Sequence, residues 1–370
     1  MTRLLVVAFA CALSASCTSA VDTSPPAAAT FEWQLPRGIP PPRVPPHNPM
    51  TAAKVDLGRR LFYDTRLSGN GTFACATCHQ QALAFTDGRP RAIGSTNQLH
   101  ARSTMSLTNV AYNASFGWAD PSLTTLEQQM AVPMFNEHPI ELGLKGREQE
   151  IVSRFAKDGR LFERAFPGDP APVTLEHIVR AIAAFERTLI SGDSPLDRYL
   201  YRDDKSAISP ASLRGMTLFF SKRLRCAECH ESFNLSGPVA VASETGPSPA
   251  IPLVFHNTGL YDVDGKGAYP SSDRGLIDRT NLPADMGRFR APTLRNVAVT
   301  APYMHDGTIP TLDAAVAHYA AGGHSSWYRS DRVRGFPLSV TERADVVAFL
   351  ESLTDRSFLT NPAFAAPADR

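Results

Sequence analysis

Cys75-Ala76-Thr77-Cys78-His79 decides the reading of this chain, because its pattern returns as Cys226-Ala227-Glu228-Cys229-His230. C-x-x-C-H is the attachment signature of c-type haem. Two thiols at that spacing can add to the two vinyl groups of one haem, and the adjacent histidine can reach the iron from the proximal side. A single C-x-x-C would also fit a redox dithiol or a zinc site. The histidine after each pair and the repetition favour two covalent haems. Cys11 and Cys17 lie near the N-terminus and the other four cysteines belong to the two motifs, which leaves none for disulfides.

At 370 residues the chain is long enough for two domains with real cores. Its net charge of +1 carries no nucleic-acid footprint. Arg3, the apolar run Leu4 to Leu13 and the small residues from Ser14 to Ala20 read as an export signal over 1–20. The run is too short for an ordinary membrane span. Cytochrome c maturation outside the bacterial inner membrane fits such a leader, so the expected location is the periplasm. Cys17 is a candidate for a lipid anchor, although Ser14 stands where such sites usually carry leucine.

Residues 21–50 are rich in proline and alanine and read as an extended linker or surface strap. Thr51 is an expected N-cap, followed by Val55, Leu57, Leu61 and Phe62 at roughly helical spacing. Asp64 to Gly71 is a turn-rich approach to the first motif. Ile178, Ile182, Phe185 and Leu189 form an apolar stripe after a second expected cap, Thr174. Ile208-Ser209-Pro210 opens another helix through Leu213, Met216, Phe219 and Phe220, which repeats the order helix, turn, C-x-x-C-H. The expected fold class is mainly α: two cytochrome-c-like helical domains, 51–205 and 206–356, each with one haem, and a tail over 357–370.

The order of motifs resembles the bacterial di-haem cytochrome c peroxidase and MauG family over about residues 50 to 355. Beside the two haem motifs, the resemblance rests on Leu126-Glu127-Gln128-Gln129 with Pro133, and on His138-Pro139-Ile140-Glu141. It rests further on Ala291-Pro292-Thr293-Leu294-Arg295-Asn296-Val297 and on Thr300-Ala301-Pro302-Tyr303-Met304-His305-Asp306-Gly307. Phe31-Glu32-Trp33, the Pro-rich strap and Asn136-Glu137-His138-Pro139 look most like the MbnH-like di-haem enzymes.

The resemblance implies that the haem of His79 is the peroxide site. Glu141 would move a proton between the peroxide oxygens, supported by Gln129 and by Pro133 over the open face. Two extra residues separate Pro133 from Glu141 relative to the family pattern, so Glu137 is the fallback. The haem of His230 would be the low-spin partner. Where ordinary cytochrome c peroxidases place a methionine ligand, counting from His305 reaches Tyr319, as in MauG and MbnH. A phenolate oxygen favours ferric and higher iron states. Met304 and His318 are rival ligands. Trp118, in Phe116-Gly117-Trp118-Ala119-Asp120, would relay electrons between the haems. A calcium ion would bind Asn109, Thr300 and Pro302, a mixed oxygen set.

His100 falls where ordinary peroxidases keep a removable distal ligand, but its spacing to Arg102 differs, and it reads as a surface or loop histidine. His256 and His324 carry no assigned role. Asp262 to Asp273 lacks calcium-loop spacing and reads as a solvated loop.

The expected protein is a periplasmic di-haem enzyme that uses hydrogen peroxide to form a high-valent di-haem state. That state would oxidise tryptophan on a partner protein by long-range electron transfer. The alternative is an ordinary cytochrome c peroxidase fed electrons by a small cytochrome c or cupredoxin. A purely electron-transferring dihaem protein would need both irons six-coordinate, against the Gln129–Pro133–Glu141 set.

Overall fold

A computed structural model describes residues 31–243 and 251–368. The expected leader over 1–20 and the first part of the linker lie outside the described residues. The longer helices are α1 (Ala52–Phe62), α2 (Leu126–Phe135), α3 (Leu175–Glu186), α4 (Pro195–Tyr201), α5 (Pro210–Phe219), α6 (Leu312–Ala321) and α7 (Val340–Glu351). The strands β1 (Phe255–Asn257) and β2 (Arg288–Arg290) pair antiparallel, with His256 opposite Phe289. The protein is mainly helical with little sheet. Among the described residues no helix is long and apolar enough to cross a membrane.

Helix starts follow local chemistry. The Thr51 hydroxyl accepts the Lys54 N–H, Thr174 does the same for His177, and Ser209 caps α5 with Pro210 in the first turn. The stripe Ile178, Ile182, Phe185 and Leu189 is fully buried.

Each half crosses two helices at a glycine. A Cβ on Gly58 would lie 1.8 Å from the Ala181 carbonyl oxygen, and one on Gly215 would lie 1.9 Å from that of Asp345. Only glycine lets α1 meet α3, and α5 meet α7, at backbone distance. The first core gathers Leu57, Leu61, Phe62, Phe85 and Phe185 with Met130 and Met134 of α2. The second gathers Phe219, Leu224, Leu235, Val316, Val346 and Phe349.

Two end segments tie the halves together. Pro42 bridges Val241, and the Pro40 carbonyl accepts the Tyr112 hydroxyl at 2.6 Å, so residues 31–50 run extended over the folded body. The stretch read as a tail returns to the first half. Phe358 and Phe364 are buried in the first core, and the Phe364 carbonyl accepts the Tyr63 hydroxyl at 2.7 Å. Between the halves, Arg102 grips Asp273 with two hydrogen bonds of 2.7 Å.

Candidate active site

Both motifs form a short helical turn ending at the histidine, and a backbone carbonyl then holds each ring. His79 Nδ1 lies 2.7 Å from the Phe85 carbonyl, and His230 Nδ1 lies 3.2 Å from that of Leu235. A carbonyl can only accept, so each contact favours the tautomer with the proton on Nδ1, the one that offers Nε2 to a metal, while the Met105 and Pro292 carbonyls also lie within hydrogen-bond reach of the two rings. The accepting residues have left-handed backbones, φ 62° at Phe85 and 47° at Leu235, which cost energy for side-chain-bearing residues. Burial keeps both imidazoles neutral, most strongly at His230, whose pKa falls to about 4. A neutral ring with a free Nε2 is the form that binds iron.

Burial, with the charges of Asp87 and Glu141, pushes the Cys78 thiol up to about 12, and burial pushes Cys226 to about 12. Such burial does not favour the exposed thiolate of a reactive dithiol.

In the second half, Cys226, Cys229, His230 and Tyr319 line one cavity of about 260 Å³. Trp118, Phe289, Arg290, Met304 and His305 line it too. Burial and the nearby Cys229, Cys226 and Tyr269 raise the Tyr319 phenol pKa above its usual value. His318, one residue earlier, is turned away, its Nε2 3.0 Å from the Thr258 carbonyl. Met304, the other rival ligand, lines the same cavity. Trp118 donates its indole N–H to the Ser103 carbonyl at 3.0 Å, which fixes the ring.

The cavity fits a haem in charge as well as lining. Arg290 is buried, and among the described residues its side chain donates to the Gly117 carbonyl, the Asn113 amide oxygen and the Met105 sulfur. Burial alone lowers its pKa to about 10. A buried guanidinium among neutral acceptors is costly until an anion joins it, and a haem propionate is such an anion.

In the first half, Gln129 and Pro133 sit four residues apart on α2, hence on one face. The chain doubles back onto that helix: the Leu142 N–H reaches the Pro133 carbonyl at 2.9 Å, and Leu144 reaches Met134 at 2.9 Å. The Ser95 N–H holds the Glu141 carbonyl at 2.8 Å. Glu141 is thus clamped between α2 and the 93–99 hairpin. Burial pushes its carboxyl up to about 7. Glu137 instead is exposed and pairs with Lys145.

His100 differs from its sequence reading. It is 14 % exposed, its Nδ1 lies 3.8 Å from Glu141 Oε1, and its Nε2 is buried with no partner. The return of the hairpin against Glu141, invisible in local spacing, buries it. Sequence reasoning also missed Glu186, buried on α3 with Oε2 unpartnered. Burial pushes that carboxyl up to about 8.

Of the residues expected to bind calcium, Asn109 is buried and its side chain is already hydrogen-bonded. Asn109 Oδ1 takes the Ser191 N–H at 2.7 Å, and its amide nitrogen donates to Ser191 and Asn234. Thr300 and Pro302 line the cavity of His230.

The comparisons agree with this arrangement. A family profile described as di-haem cytochrome c peroxidase matches residues 52–205. The methylamine utilization protein MauG of Methylorubrum extorquens is 33% identical over 93% of this chain and 89% of its own length. Cytochrome-c peroxidase IdrP1 of Denitromonas iodatirespirans is 35% identical over 96% of this chain and 94% of its own. The crystal structure of a MauG-like protein associated with microbial copper homeostasis superposes with a TM-score of 0.87 at 44% identity, covering 91% of this chain and 99% of that one. With two haem-binding motifs held in matching ways and relatives that align over nearly its whole length, the chain belongs to the di-haem cytochrome c peroxidase family of oxidoreductases.

Proposed function

We propose that this enzyme works in the periplasm and uses hydrogen peroxide to oxidise tryptophan side chains of a partner protein by long-range electron transfer. The observation that carries the reading is that Tyr319 shares one cavity with Cys226, Cys229 and His230, while His318 beside it is turned to the Thr258 carbonyl. The 44% identity to a MauG-like protein associated with copper homeostasis directs the search for a partner to exported copper-handling proteins.

Cys75, Cys78 and His79 would hold one haem, and Cys226, Cys229, His230 and Tyr319 the other. When bound, the haems supply irons that exchange electrons with peroxide. Glu141, poised near neutrality, takes the proton from one peroxide oxygen and returns it to the departing one. Gln129 and Pro133 shape the face on which peroxide sits. Two electrons leave the partner, and with two protons they convert hydrogen peroxide to two waters. Trp118, fixed by its hydrogen bond to Ser103, carries electrons between the two sites. A calcium ion at Asn109, Thr300 and Pro302 would be structural, and no step depends on it.

His100 favours a second reading. Its unpartnered Nε2 beside Glu141 suits a removable ligand that closes the peroxide site of an ordinary cytochrome c peroxidase. One experiment separates the two: add one equivalent of peroxide to the fully ferric protein and scan from the Soret band to the near infrared. A long-lived oxidised spectrum with a near-infrared band is expected. Ferric protein that is inert, and reacts only after one haem is reduced, would replace the proposal with the second reading.

A further inference from the structure

The Tyr261 hydroxyl has a carboxylate as its partner. Tyr261 donates to Asp306 Oδ2 at 2.5 Å, while the other oxygen of that carboxylate is held by the Thr308 hydroxyl at 2.8 Å and its N–H at 3.2 Å. Tyr112 and Tyr303 donate to peptide carbonyls, and Tyr269 donates to the Asn257 amide oxygen. This difference bears on redox chemistry. A phenol that loses an electron becomes a very strong acid, so oxidation is accessible only where a base can take its proton. A carboxylate is such a base, and an amide oxygen is a far poorer one.

Tyr261 is also joined to the cavity of His230 by aromatic rings. Phe289 and His305 line that cavity beside Trp118 and Tyr319, and they stack with centroids 3.8 Å apart. Tyr269 lies 6.1 Å from each of them. Tyr261 lies 5.5 Å from Tyr269 and 6.4 Å from His305. Trp118 packs against the same cluster. Tyr269 is buried, Tyr261 is half-buried, and Val263 two residues on is 60% exposed. The rings thus run from the cavity wall to solvent and end at the phenol that has a base.

We infer that Tyr261, with Asp306 as its proton acceptor, is a redox-active residue at the surface end of an electron path, where one-electron aromatic donors (phenols or indoles) are oxidised. It rests on the peroxide chemistry of the proposed function and adds the point of electron entry. The step balances. Tyr261 loses one electron, which reduces the peroxide-oxidised enzyme by one equivalent, and its hydroxyl proton passes to Asp306, leaving a neutral tyrosyl radical and a carboxylic acid. The donor then returns an electron, and the proton moves back to the phenolate oxygen.

The test uses the holoenzyme, one equivalent of peroxide and no partner protein, followed by freeze-quench electron paramagnetic resonance and optical decay. Wild type should give a tyrosyl signal that narrows when tyrosine is ring-deuterated. Tyr261→Phe, which removes a single hydroxyl, should lose it. The same variant should lengthen the lifetime of the oxidised optical state several-fold and slow oxidation of 2,6-dimethoxyphenol at least tenfold, with unchanged haem content. Asp306→Asn should lose the signal while keeping Tyr261. If wild type forms the oxidised state and Tyr261→Phe matches it in signal, lifetime and phenol oxidation, the role of Tyr261 is overturned and the proposed function stands. If wild type forms no oxidised state under either ferric or half-reduced conditions, both fall together.

Discussion

His79 Nδ1 lies 2.7 Å from the carbonyl oxygen of Phe85, and that contact favours the tautomer that offers Nε2 to a metal. The same device recurs at His230 with Leu235, so the two halves share it although their loops differ in sequence. A ligand's orientation comes from its outer hydrogen bond. Here that bond comes from a strained turn rather than from a carboxylate.

Glu141 is expected to control the reaction with peroxide. Glu141→Gln should slow it by about 10²–10⁴-fold. With its pKa raised to about 7 by burial, the carboxylate form that accepts the peroxide proton grows as pH rises through neutrality. The wild-type rate should therefore rise between roughly pH 6 and 8, as the ionised fraction grows around that pKa, and the variant's should be flat. Stopped-flow mixing with peroxide across pH checks both.

Tyr319→Met exchanges an oxygen ligand for a thioether. The second haem should then titrate at a higher potential, and the ferric enzyme should stop reacting with peroxide until one haem is reduced. Spectroelectrochemical titration reads the first effect and the one-equivalent peroxide addition the second. An unchanged potential would mean that Met304 or another group is the ligand.

Gly58→Ala would put a methyl carbon 1.8 Å from the Ala181 carbonyl oxygen. The α1–α3 crossing must open to admit it, at a cost of about 1–3 kcal/mol or more. Urea unfolding should show a lower midpoint. The same change on the exposed, uncrowded Gly71 meets no atom within 4 Å but has φ 74°, so its smaller loss would come from backbone strain alone.

Glu186 should make stability depend on pH in the direction opposite to a salt-bridged acid. Burial raises its folded pKa to about 8 from an ordinary 4.5, so the folded state holds an extra proton between those values. Stability is then largest below the unfolded pKa and falls as pH rises toward 8, by an amount on the order of a few kcal/mol. Glu186→Gln should remove that slope, seen as a melting-temperature advantage over wild type that grows from pH 5 to pH 8.

Much of this was legible in the chain. The caps Thr51, Thr174 and Ser209 act within three residues, and the apolar stripe of α3 repeats every turn, so local spacing was enough to read them. The two C-x-x-C-H motifs were legible for the same reason, since each packs two thiols and an imidazole within five residues. The peroxidase family followed from motif order and is what the relatives show.

What the sequence by itself determined is therefore the helices, the two C-x-x-C-H motifs and the family. Tertiary structure alone decided where His100 goes, which of Glu137 and Glu141 is partly buried, and that Tyr261 meets a carboxylate. It also decided that Phe358 and Phe364 complete the core of α1, although almost the whole chain separates them. The physical reason is one of range. Capping and periodicity act between residues a turn apart, whereas burial and charge depend on neighbours that only the closed chain brings together. Tyr261 and Asp306 are 45 positions apart, and nothing in either stretch announces the hydrogen bond between them.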